Sequence, residues 1–69
     1  MSARDYIIRY VDGLWHVRFG GHLVGAKPNK VEALLVAQAL ARAGADRGEQ
    51  SKILVADITG STFEFQPAL

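Results

Sequence analysis

The stretch Tyr6-Ile7-Ile8-Arg9-Tyr10-Val11-Asp12-Gly13-Leu14-Trp15-His16-Val17-Arg18-Phe19 decides how this chain folds. At its centre, Asp12-Gly13 is a dipeptide that tolerates positive φ at both inner positions of a tight type I′ turn. A turn there sets Val11 opposite Leu14, Tyr10 opposite Trp15, Ile8 opposite Val17 and Tyr6 opposite Phe19. Side chains alternate between the faces of a strand. One face of the hairpin therefore collects Tyr6, Ile8, Tyr10, Trp15, Val17 and Phe19, and the other Ile7, Arg9, Val11, Leu14, His16 and Arg18. A slip of one residue would mix the two sets, so the register is well specified.

Outward from the hairpin, Gly20-Gly21 offers a second two-residue turn, returning His22 to Ala26 as a short third strand with Val24 beside Val17 and Ala26 beside Trp15. Lys27-Pro28-Asn29 ends the meander. Asn29 is a good helix N-cap and Glu32 completes a capping-box-like pair. The Ala- and Leu-rich run from Lys30 to about Ala43 then predicts a helix, with Arg42 in its last turn and Gly44 just past its end. Ala45 to Ser51 is polar and predicts a loop. Lys52 to Ile58 is β-branched and predicts a strand, Thr59-Gly60-Ser61 turns the chain, and Thr62 to Gln66 returns as an edge strand that Pro67 stops. The expectation is one α+β domain over residues 1–69, an antiparallel sheet in the order β-β-β-α-β-β with one helix packed on one face.

The predicted helix has apolar residues on two sides. Ala33, Val36, Ala37 and Leu40 share the face that small side chains would let lie close on the aromatic sheet. Val31, Leu34 and Leu35 form a second stripe, continued by Gln38 and Arg42. One helix on one sheet buries only one side, and an exposed apolar patch marks an interface. Unless the 45–51 loop or the C-terminal tail folds over it, this stripe is expected to bind a second copy or another protein.

Composition narrows the function classes. The chain has 69 residues, 49% of them hydrophobic and 22% charged, which is the balance of a globular protein. So short a chain has a marginal core, and small domains are commonly reinforced by disulfides, metals or partners. No cysteine is present, so disulfides and cysteine-based zinc sites are excluded. The net charge of +1 gives no bulk attraction to nucleic acid or anionic lipid. No segment has the ~18 consecutive apolar residues of a membrane span, and the first residues lack a signal peptide's apolar stretch. A cytoplasmic location is expected, with no cofactor.

Catalytic chemistry is sparse. His16 and His22 are the only histidines, and the hydroxyls of Ser51, Thr59, Ser61 and Thr62 sit in or near predicted turns, where hydroxyls are common anyway. No spacing joins a histidine to a nucleophile and an orienting group, or joins both histidines to Asp57 as a metal site. The glycines follow no phosphate-loop spacing and are explained by turns. No enzyme activity is expected. Arg9, His16 and Arg18 do share the outer face of the hairpin, where they could contact phosphates or acidic side chains. That face has no exposed aromatics on which single-stranded bases could stack.

Two resemblances follow from these residues. Trp15-His16-Val17, the Glu32-Ala33 helix start, the Ala37 and Leu40-Ala41 spacing and the Ile53-Leu54-Val55 strand resemble a family of small uncharacterised bacterial domains with a Trp hairpin, an Ala-rich helix and a closing strand; that family lends no activity. The first two-thirds is similar to the antitoxin half of Hic-type toxin–antitoxin pairs, through Asp12-Gly13, Trp15, Val17 and Glu32-Ala33. That likeness implies dimerisation and inhibition of a small ribonuclease toxin. The chain departs from the pattern after Phe19, where the usual Pro and Cys are missing, and it carries no appended DNA-binding domain. The leading expectation is a non-enzymatic interaction domain that self-associates through Val31, Leu34, Leu35, Gln38 and Arg42. The alternatives are a nucleic-acid-binding module using Arg9, His16 and Arg18, or an antitoxin-like inhibitor.

Overall fold

A computed structural model describes residues 5–56 and 58–65. Five strands and one helix follow in the order β1 (Tyr6–Val11), β2 (Leu14–Phe19), β3 (His22–Lys27), α1 (Lys30–Asp46), β4 (Ile53–Ala56) and β5 (Thr62–Phe65). The hairpin register matches the sequence expectation at every pair, and the turn is closed by Asp12 at φ +50° and Gly13 at φ +85°. Gly20 and Gly21 make the second two-residue turn, both at positive φ. Phe65 closes β5 as described; Asp57 and the expected strand end at Gln66-Pro67 lie outside the described residues.

The fold is α+β, but the sheet is mixed rather than antiparallel. Its strand order is β3-β2-β1-β4-β5, with β4 parallel to β1 and every other neighbouring pair antiparallel. Strand directions explain the difference. The meander leaves β3 running the same way as β1, and α1 carries the chain back along the sheet before β4 begins. Seventeen helical residues at about 1.5 Å each return it some 25 Å, to the end where β1 also starts. There the amide of Tyr6 donates to the Lys52 carbonyl at 2.7 Å, and the Lys52 amide donates to the Asp5 carboxylate at 3.3 Å. β1 thereby becomes the middle strand of five.

β3 differs from expectation by one residue. Phe19 pairs with His22 and Arg18 with Leu23, but Val17 then pairs with Gly25, so Val24 is the extra residue of a β-bulge. The slip places Gly25, not Val24, beside Val17 on the helix side, and Lys27, not Ala26, opposite Trp15. It also lets the helix come close: a Cβ built on Gly25 would sit 3.3 Å from Val36 Cγ1.

The N-terminus of α1 is capped as expected. Asn29 Oδ1 accepts from the Glu32 amide at 2.9 Å while its Nδ2 donates to Glu32 Oε2 at 2.8 Å. Its C-terminus is later than the sequence suggests. Gly44 lies inside the helix and is buried, and Arg42 stands more than a turn before the end. The stop is Gly48 at φ +83°, and the amides of Arg47, Gly48 and Glu49 donate back to the Gly44 and Ala45 carbonyls. Gly44 leaves room here for the returning loop: a Cβ would lie 2.9 Å from Glu49 Oε1, the tip of an exposed side chain that could swing aside, and 3.6 Å from Glu49 Cβ.

The core lies between α1 and the face of Tyr6, Ile8, Val17, Ile53 and Val55, sealed by Ala33 and Ala37. Tyr6 stacks on Phe19 with ring centroids 4.2 Å apart, and Tyr10 leans on Trp15 at 5.3 Å. Lys30 Nζ stands 5.9 Å from the Trp15 ring centroid, close enough for a cation–π contact. The helix lies over β1, β2 and β3.

Two predictions follow from this packing. Gly25→Val is expected to cost about 1–3 kcal/mol in urea unfolding, the range for overpacking a closed core, and Val36→Ala should recover part of it. Burial first, and the Glu49 carboxylate second, raise the Tyr6 phenol above its ordinary value of 10.0, with Arg47 opposing. A raised folded-state value contributes stability that is present below pH 10 and is lost as pH climbs through that value. Denaturation midpoints should therefore fall more steeply above pH 10 in the natural protein than in Tyr6→Phe.

Candidate functional site

Alternation sends Arg9, His16 and Arg18 to the face of the sheet away from α1, as the hairpin register requires. β4 and β5 widen that face into two five-strand rows. One runs Leu23, Arg18, Ile7, Leu54, Glu64 and the next Ala26, His16, Arg9, Ala56, Thr62. No described helix or loop covers it. Ile7, Leu14 and Leu23 are exposed there, with Ile58 beside them at 72%. Between β1, β4 and the β4–β5 turn lies an open depression of about 590 Å³, bordered by Ile7, Arg9, Leu54, Ala56, Ile58 and Thr62.

The cations on this face differ in their ties. Arg18 Nη2 donates to the Gly21 carbonyl at 2.8 Å, which holds its side chain toward the β2–β3 turn. Among the described residues none pairs with the Arg9 guanidinium, whose cross-strand neighbours are His16 and Ala56. His16 is half-buried against them.

Sequence reasoning identified the cations but missed Leu54, Ala56, Ile58 and Thr62 beside them. A signal was present. Ile53-Leu54-Val55-Ala56 is apolar at four successive positions, the pattern of a strand with apolar surroundings on both faces rather than a half-solvated one.

The second surface is the solvent side of α1. Val31 is 65% exposed and Leu35 59%, with Arg42 also exposed. The stripe is nevertheless narrower than expected, because the helix is rolled about its axis. Leu34 packs against the core together with Val36 and Ala41, Gln38 is half-buried, and Leu40, expected inside, is exposed. Val36 seats over Gly25 on one flank of the helix, while Leu34 and Ala41 pack inward. The loop after α1 leaves Val31 and Leu35 uncovered, and the C-terminal tail lies outside the described residues.

His16 and His22 are not brought together. His16 sits opposite Arg9 on the outer face, whereas His22 pairs with Phe19, which belongs to the helix side. Among the described residues no three histidine, aspartate or glutamate side chains gather as metal ligands, and the hydroxyls of Ser51, Thr59, Ser61 and Thr62 are spread over the loop before β4 and the β4–β5 return. No helix there is long and apolar enough to cross a membrane.

What these surfaces can do is bury apolar area and, on the sheet, attract negative charge. No protein-family model, curated protein or solved structure matches the chain.

Proposed function

We propose that this chain is a small protein-interaction domain without catalytic chemistry, and that it self-associates through the solvent side of α1. The observation that carries the reading is a mismatch between what is buried and what is shown. Among the described residues the core holds seven side chains, two of them alanines, while ten large apolar side chains are exposed. Chains of this size have little stability to spare, and surface of this kind finds its use when a partner covers it.

Val31 and Leu35 are the anchors, one helical turn apart at i and i+4, and Ala39 continues their ridge with a side chain small enough for close approach. Charges favour an antiparallel pair. Glu32 stands near the start of the ridge and Arg42 near its end, so a copy running the other way brings opposite charges together at both ends. Covering Val31 and Leu35 contributes about 1.5–3 kcal/mol for each side chain fully buried. Two copies together contribute about 6–12 kcal/mol, from which the cost of losing free rotation and translation removes several, so the association is a weak one that populates only at high micromolar concentration.

In sedimentation experiments over a concentration series, the protein is expected to pass from monomer to dimer by high micromolar concentration. Leu35→Glu should weaken that association by at least about tenfold while leaving the circular dichroism spectrum unchanged. A monomer throughout, indifferent to Leu35→Glu, would refute the proposal. Leu34→Glu is not a clean probe, because Leu34 packs on the core and its loss would unfold the chain.

A further inference from the structure

We infer that the uncovered sheet face is a docking site for an acidic amphipathic helix of another protein, laid across β2, β1 and β4. The first argument is chemical composition. The middle of the face is aliphatic, through Ile7, Leu54 and Ala56, and beside that floor stand Arg9 and Arg18 with His16 between them. Among the described residues, the carboxylates toward this side stand at its margins. Asp5, before β1, accepts the Lys52 amide, and Glu64 lies on β5, two strand spacings from Arg9 and three from Arg18, about 10 and 14 Å across the sheet. The unpaired Arg9 guanidinium therefore borders an apolar floor and a depression with no carboxylate directly opposite it on either neighbouring strand. A ligand that covers the aliphatics must bring negative charge with it to avoid stranding that cation in a drying interface.

The second argument excludes the other occupants. A second copy stacked sheet to sheet about β1, the middle strand, would drive Arg9 and His16 against their own counterparts. A second copy's α1 is not acidic, since Lys30 and Arg42 balance Glu32 and Asp46. Single-stranded nucleic acid would answer the charge but leave the aliphatic floor without a partner. Tyr6 and Trp15 lie on the helix side, and of the described rings Tyr10 alone borders the depression, where stacking of successive bases needs several. An amphipathic helix answers both demands. Its apolar stripe meets Ile7 and Leu54 as α1 meets Ile8 and Val17 on the opposite face, and carboxylates along the edge of the stripe reach Arg9 and Arg18.

The test uses the intact chain, isotope-labelled for amide NMR, and three probes: a synthetic helix about five turns long with leucine on one face and glutamate on the other, the same peptide with lysine for glutamate, and single-stranded DNA of similar length. The glutamate helix is expected to shift the amides of Ile7, Arg9, Arg18, Leu54 and Ala56 while sparing α1, with affinity that falls as salt rises. Arg9→Ala with Arg18→Ala should weaken it by about tenfold or more. Arg9→Ala alone, which removes no hydrogen bond of the fold, carries the same test if the double variant fails to fold. Equal binding of the lysine helix would overturn the inference, as would DNA binding in place of the peptide, shifts confined to α1, or no shifts at all. Leu35→Glu should leave peptide binding intact, so this inference and self-association through the helix stand or fall separately.

Discussion

The contact of Ala33 and Ala37 with Ile8 and Val17 is the constraint on which the rest of the molecule depends. All four are completely removed from solvent. Alanine at both helix positions allows the backbone of α1 to approach the sheet closely, so the larger rings of Tyr6, Phe19 and Trp15 can close the margins instead of propping the layers apart. Gly25 extends the same close approach to β3, where a Cβ would crowd Val36 Cγ1 at 3.3 Å. A single layer of helix thus covers three strands and leaves the other side of the sheet to find its own surroundings.

Much of the surface chemistry follows from that one-sided covering. Ile7, Leu54 and Ala56 belong to β1 and β4, yet on those strands it is their neighbours Ile8 and Val55 that point into the core. The central strands carry apolar residues on both faces, which suits a layer on both sides, and the described residues supply one. The result is an aliphatic floor, with Arg9 and Arg18 set into it, that a partner can dry. On the helix the same economy leaves Val31 and Leu35 outside. The two surfaces differ in kind: the helix face carries charges of both signs beside Val31 and Leu35, while on the sheet face Arg9 and Arg18 stand next to aliphatic side chains and the described carboxylates, Asp5 and Glu64, lie at the margins.

The bulge at Val24 links these features. It places Gly25 under α1 against Val36, in a helix whose Leu34 packs on the core and whose Leu40 is exposed. The late helix stop has a comparable origin. Gly44 is tolerated within α1 because the Arg47–Glu49 return packs against the space its missing side chain leaves, and Gly48 takes the left-handed position instead.

Local chemistry by itself determined the hairpin, its register, the Asn29 cap, the helix and the sorting of residues between the sheet faces. Each of these depends on a turn dipeptide, a cap or a periodicity confined to a few neighbouring residues, and Asp12-Gly13 and Asn29…Glu32 carry that information within their own span. Tertiary structure alone decided that β4 runs parallel beside β1, that β3 slips by one residue and that α1 rolls toward Leu34. Those outcomes involve strand directions summed through a long crossover and the fit of Val36 against Gly25, residues eleven positions apart that meet only once the helix has docked. The cations of the outer face were legible because they lie on one hairpin. The aliphatic floor beside them was not, because it forms only when a strand more than forty residues later pairs with β1.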